Sequence, residues 1–273
     1  MARSGTTLVS HILGSLPGVH IEVEPHALWK SGNFKYFNDE EFDATEKIVT
    51  NIRTKLLSRA GDKILIEKSP NNTLHPDLVH AVFPDAKIVF IERDPVRCIY
   101  SNYKRSLTQD SFRLSIILKK YFVYTGSKDL DGAISSFKLY HQISISDWPE
   151  FIKYTMRMFA LRRKNLLPFG PKLKNFETIV KQKNLLAYHV DVFKKTESYK
   201  SRYQELYGNN IQWFSLEKIM DGSEEIKRMI YFTNIPHHPG IIDEIMKTFD
   251  TGRVEKSKSK SGMEKEIENL LNK

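Results

Sequence analysis

Apolar side chains at positions 8, 9, 12, 13 and 16 fall on one face at the spacing of an amphipathic helix, which Pro17-Gly18 ends. Farther along, the run KILIE at 63–67 and the run AKIVFIE at 86–92 are short and apolar on both alternating sets of positions. Strands buried on both faces of a parallel sheet read this way, and the helical spacing over 76–83 between them completes a βαβ unit. Pro95 suits a first helical position and opens another helix to about Arg105. From 106 to 207 the pattern is mainly helical, broken at 125–127 and at 168–171. IQWFS at 211–215 predicts one more strand, and 224–232 a further helix. The Lys/Ser-rich stretch TGRVEKSKSKSG at 251–262 reads as a mobile basic loop before a terminal helix over 263–271. No internal repeat is visible.

The chain has 273 residues, enough for a substantial core, and we read 1–273 as one domain. Its composition, 40% hydrophobic and 27% charged, excludes a disordered tail protein. Lysine and arginine exceed the acids, 42 to 33, and the net charge of +9 favours an anionic partner. A nucleic-acid binder is disfavoured, because the basic residues are spread along the chain with no aromatic-basic motif among them. Cys98 is the one cysteine and no Cys/His spacing suits zinc, so we expect no metal and a reducing compartment. No apolar run approaches the roughly 20 residues that span a bilayer, and the first residues lack a signal-peptide pattern, so the sequence as written reads as cytoplasmic.

Candidate chemistry starts at Arg3-Ser4-Gly5-Thr6-Thr7, directly before the first helix, where backbone N–H groups, hydroxyls and the helix dipole favour an anion. The loop is not a Walker A motif, because its basic residue precedes the glycine. Alone it would be read as helix capping, and Lys68 and Arg93 as surface charges. Yet EKSPNN at 67–72 and ERDP at 92–95 both sit at the carboxyl ends of predicted strands, where open parallel sheets bind ligands. Lys68 and Arg93 would then meet the 3–7 loop in one crevice, with Ser101 two helical turns past Arg93.

These residues resemble the sulfotransferases that use 3′-phosphoadenosine 5′-phosphosulfate (PAPS). RSGTT at 3–7 is similar to the family's 5′-phosphosulfate loop, and FPDAKIVFIERDPVRCIYSNYKRS at 83–106 to its 3′-phosphate strand and helix. The order EKSPNN, FPDAK, RDP is closer to the tyrosylprotein and bacterial-type branch than to the cytosolic steroid and phenol enzymes. The likeness is clear over 3–106. It is looser over 165–260, where PFGPKLKNF and WFSLEKIMDG resemble family landmarks.

The resemblance implies an α/β, P-loop-like three-layer fold with a parallel sheet flanked by helices, in which 107–200 shapes an acceptor pocket. Arg3, Ser4, Gly5, Thr6 and Thr7 would bind the 5′-phosphosulfate, Arg93 and Ser101 the 3′-phosphate, and Lys68 would lie near the transferred sulfuryl group. Arg253, with Lys256, Lys258 and Lys260, would close over the 3′-phosphate. The base that deprotonates the acceptor hydroxyl falls on Glu24, with Glu22 and His26 as competitors, and we expect burial to raise the carboxyl's pKa. The acceptor would be a protein tyrosine, a glycan or a small-molecule alcohol. Relatives carry a strand before the phosphosulfate loop, whereas only Met1 and Ala2 precede Arg3, so we expect the sheet to lack its first strand and the sequence to be truncated. The alternative readings are a catalytically impaired PAPS-binding or scaffold protein and, less favoured for want of a Walker lysine and a magnesium carboxylate, a nucleotide kinase.

Overall fold

Helix α1 spans Thr6–Gly14 and buries Val9, Ile12 and Leu13, with Leu16 just beyond it. The Ser15 hydroxyl donates to the Ile12 carbonyl at 2.8 Å and helps close the last turn. At Gly14 a Cβ would lie 1.6 Å from Cδ1 of Ile21, so a larger residue there would force the Ile21 side chain to move. These contacts belong to a computed structural model, which describes residues 5–107, 143–164, 166–238, 240–247 and 262–272.

Strand β1 (Val19–Val23) pairs in parallel with β2 (Ile64–Lys68), Val19 opposite Ile64 and Val23 opposite Lys68. Strand β3 (Ile88–Glu92) pairs in parallel with β4 (Ile211–Ser215), from Ile88 opposite Ile211 to Glu92 opposite Ser215. The sequence predicts β2 and β3 as one βαβ unit. Among the described residues they instead belong to separate two-stranded sheets. A cavity of about 440 Å³ runs along both, lined by Ile64, Ile66 and Lys68 on one side and Ile88 and Phe90 on the other, with Thr6 of α1 also in its wall.

Strands β2, β3 and β4 each serve two cores, which is why β2 and β3 read as unbroken apolar runs. Ile66, Val89, Ile91 and Phe214 pack with Val9, Ile12 and Leu13 of α1. Leu65, Ile88, Phe90 and Trp213 pack with Ile52 and Leu56 from the opposite group of helices. That group includes α3 (Glu46–Ala60), whose N-cap Thr45 accepts from the Ile48 N–H, and α4 (Pro76–Val82). Between β1 and α3 lies the short α2 (His26–Trp29).

Past β3, α5 (Pro95–Leu107) packs Ile99 with Leu186 and Val190 and with Ile267 near the C-terminus. A further core joins Phe151, Tyr154 and Met158 to Phe34, whose ring meets Phe151 edge-on at 5.2 Å. Several hydrogen bonds fix the segment PFGPKLKNF: Ser106 Oγ accepts from the Phe169 N–H, Tyr188 Oη donates to the Pro171 carbonyl, and buried Asp39 accepts from the Lys172 N–H. The helices expected over 224–232 and 263–271 occur as Ser223–Thr233 and Glu264–Leu271. Much of the predicted acceptor region, 108–142, and of the basic loop, 251–261, lies outside the described residues. Among the described residues no helix is long and apolar enough to cross a membrane, and no group of side chains suits a metal ion.

Candidate functional site

The chain leaves β1 at Glu24, whose φ of 52° is left-handed and thus rare for a residue with a Cβ. Its N–H donates to the Lys68 carbonyl at 2.8 Å, so the β1–β2 ladder runs on while the backbone turns into Pro25 and α2. A conformation of this kind costs roughly 1–3 kcal/mol and persists where its surroundings hold it. Here the turn brings three functional groups together. Lys68 Nζ lies 2.5 Å from Glu24 Oε1, and His26 Nε2 lies 3.2 Å from Glu24 Oε2.

Burial alone would push the Glu24 carboxyl up, as the sequence suggests. The hydrogen bond and charge of His26, joined by those of Lys68, outweigh it and hold the carboxyl well below the usual carboxylate range. The expectation of a raised pKa is therefore reversed, and Glu24 is a bridged carboxylate at neutral pH. Lys68, only 8% exposed, needs this counter-charge, since an isolated buried ammonium would pay several kcal/mol in desolvation.

The competing carboxylate is placed differently. Glu22 is 2% exposed and held by Arg59 Nη1 at 3.3 Å and His20 Nε2 at 3.0 Å. It sits directly opposite Glu67 in the β1–β2 register. Glu67 itself is a further candidate, marked in the sequence only as an acid inside the run ILIEK. Its Oε1 accepts from Trp29 Nε1 at 3.0 Å and from the Ser69 hydroxyl, and its Oε2 accepts from Asn72 Nδ2 at 3.3 Å. Burial, opposed by the Ser69 and Trp29 hydrogen bonds, pushes Glu67 up to about 7.

Thr6, Lys68 and Ser69 line the same cavity, which sets the start of α1 beside the exit of β2. Gly5 supplies no side-chain cap, and the first turn of α1 contains no acid, an arrangement that fits an anion at this helix end. Gly5 has φ +90°, and a Cβ there would come within 2.4 Å of Leu216. Gly5→Ala is expected to destabilise the protein by about 2 kcal/mol through the left-handed backbone alone, and further through the Leu216 contact. Urea unfolding checks this; an unchanged midpoint refutes it.

Thr7 is exposed one residue on. At the exit of β3, Asp94 Oδ1 accepts from the Arg97 N–H at 2.8 Å, and the Asp94 N–H donates to Glu217 at 3.2 Å. Leu216 therefore meets Gly5 while its neighbour Glu217 meets Asp94, which draws the Arg93 turn toward the start of α1. Arg93 and Ser101 are both partly exposed, Ser101 on α5. Arg3, Ser4 and Arg253, like Lys256, Lys258 and Lys260, lie outside the described residues.

Compared with known proteins, residues 1–131 match the model of the sulfotransferase family. No curated protein and no solved structure matches the chain.

Proposed function

From the match of residues 1–131 to the sulfotransferase family model, we propose that the chain transfers a sulfuryl group from PAPS to an acceptor hydroxyl. The observation that carries this reading is the Glu24–Lys68–His26 constellation beside the uncapped start of α1. Bound PAPS would supply an electrophilic sulfur and a phosphate leaving group. Gly5, Thr6 and Thr7, with Arg3 and Ser4, would hold its 5′-phosphosulfate, and Arg93 and Ser101 its 3′-phosphate, with Arg253 closing over it. Lys68 would meet negative charge growing at the leaving oxygen, the electrostatic contribution that dominates transfers of this type.

Glu24 would take the acceptor proton. In the free protein its carboxylate is engaged by Lys68, and an incoming anion that draws Lys68 away would release it. His26 holds the second carboxylate oxygen and fixes its direction. Glu22 is a poorer base, because it is enclosed and already paired with Arg59. We assign the acceptor to the hydroxyl class of a protein tyrosine, a glycan or a small-molecule alcohol, and the chain to the tyrosylprotein and bacterial-type branch.

We also read 1–273 as one domain with a P-loop-like sheet between two helix layers. The cavity supports that reading, because residues of both β2 and β3 line it together with Thr6 of α1.

Calorimetric titration of 3′-phosphoadenosine 5′-phosphate tests the function. Saturable binding is expected, weakened about 10–100-fold in Arg93→Ala by loss of a charge-assisted phosphate contact. A weaker effect is expected in Ser101→Ala. Absence of binding by the folded chain overturns the reading, and binding justifies an acceptor screen with labelled PAPS.

A further inference from the structure

Three acidic side chains gather at the exits of β1 and β2, and two of them have a cation. Glu22 has Arg59, and Glu24 has Lys68. Glu67 is held by Trp29, Ser69 and Asn72, all neutral donors, and among the described residues no cation forms an ion pair with it, the charge of Lys68 acting on it only from a distance. It nonetheless lines the same cavity as Lys68 and Thr6, and is partly accessible from it.

We propose that Glu67 controls anion affinity at this site, its uncompensated carboxyl taking up a proton when an anionic donor binds beside Lys68. The proposal rests on the reading of the site given above. An ionised Glu67 places a negative charge next in sequence to the lysine that attracts the donor. Protonation removes that charge and leaves the hydrogen-bond frame intact, because Oε1 still accepts from Trp29 and Ser69 while Oε2 carries the proton and Asn72 turns its amide oxygen toward it. The proton comes from solvent, and no bond between heavy atoms forms or breaks.

The groups facing Glu67 make it the responsive member of the cluster. Glu22 lies across the ladder, Tyr203 packs nearby with its hydroxyl on the Asn72 carbonyl, and Lys68 follows on the same strand. His20 and Arg59 are spent on Glu22. Lys87, also in the cavity wall, is held on the Phe232 carbonyl. With Glu67 pushed up to about 7, both of its forms are populated near neutrality. A bound anion raises it further, and by linkage a rise in pH weakens binding of the anion.

Calorimetry of 3′-phosphoadenosine 5′-phosphate at pH 7.5, in two buffers of different ionisation enthalpy, counts the protons exchanged. Wild type is expected to take up about half a proton more than Glu67→Gln, the nucleotide's own titration cancelling between them. The affinity of wild type is expected to fall several-fold relative to the variant between pH 6 and pH 8. Equal proton counts with intact nucleotide binding overturn the role of Glu67 and leave the sulfotransferase reading standing; absence of binding to wild type overturns both. Should Glu67→Gln fail to fold, inorganic sulfate, which does not titrate in this range, serves as the probe on wild type. Its affinity must then weaken from pH 6 to pH 8, and a flat profile overturns the proposal.

Discussion

Glu24→Gln will lower turnover roughly 10²–10⁴-fold, the usual contribution of a positioned general base, and will leave nucleotide binding equal or tighter. The second half of this expectation follows from the ion pair. In the free protein Lys68 is held by Glu24 at 2.5 Å, so an anion must compete with that carboxylate. A neutral glutamine removes the competitor. Lys68→Ala removes the cation instead, so it will weaken 3′-phosphoadenosine 5′-phosphate binding and slow turnover together. Calorimetry of both variants reads the first quantity, and transfer of label from PAPS to whichever acceptor the screen returns reads the second. Turnover within a few-fold of wild type in Glu24→Gln would move the base to His26, which touches the same carboxylate. Parallel losses of binding in both variants would mean that Glu24 is merely the structural partner of Lys68. Breaking the pair leaves a lone Lys68 in one variant and a lone Glu24 in the other and will cost stability in both, so each needs a melting curve before its kinetics are read.

Much of this arrangement is legible in the sequence, and the places where it is not have identifiable physical causes. Helix α1 and strands β2, β3 and β4 stand out as compact, mostly apolar patterns, and helix α5 by the proline at its first position. Strand β1 does not. In VHIEV the apolar set alternates with His20 and Glu22, and the usual inference would turn the valines inward. Instead Glu22 is buried and Val23 is 51% exposed, because Arg59 and His20 satisfy the carboxylate inside. Helix α3 carries its own signal, since Ile48, Ile52 and Leu56 recur every fourth residue behind the Thr45 cap. Glu24, Lys68 and Arg93 were identified as candidates by motif, whereas the state of Glu24 was not. Its low pKa depends first on His26, set beside it by a left-handed turn that no local pattern announces, and then on Lys68, 44 residues away. The separation of β2 from β3 is likewise a matter of lateral strand position, on which an apolar run is silent.

Stability will fall on acidification between pH 6.5 and 4.5 with a net slope of about one proton, and Glu67→Gln will steepen that slope to about two. Two enclosed histidines drive the loss. Burial lowers His189 to about 3 and His75 to about 4, and the Nδ1 atom of each is buried without a partner. Each folded pKa lies below the unfolded value near 6.5, so the unfolded chain binds the extra proton. The stability they contribute is complete above about pH 6.5 and is lost as pH falls toward 4 and 3, amounting to about 3 kcal/mol for His75 and somewhat more for His189. Glu67 works in the opposite direction. Its folded value near 7 exceeds the unfolded value of 4.5, so its contribution is complete below about pH 4.5 and is lost as pH rises through 7. Between 4.5 and 6.5 the two histidines add about two protons to the slope and Glu67 subtracts about one. Glutamine at 67 removes the subtraction. Glu24 and Asp39, both depressed, lose their stabilising contribution only at lower pH and leave this window clear. Urea unfolding of wild type and Glu67→Gln across the window measures both slopes. Identical slopes would mean that Glu67 is ionised throughout, and the proton uptake proposed for anion binding would then have no source.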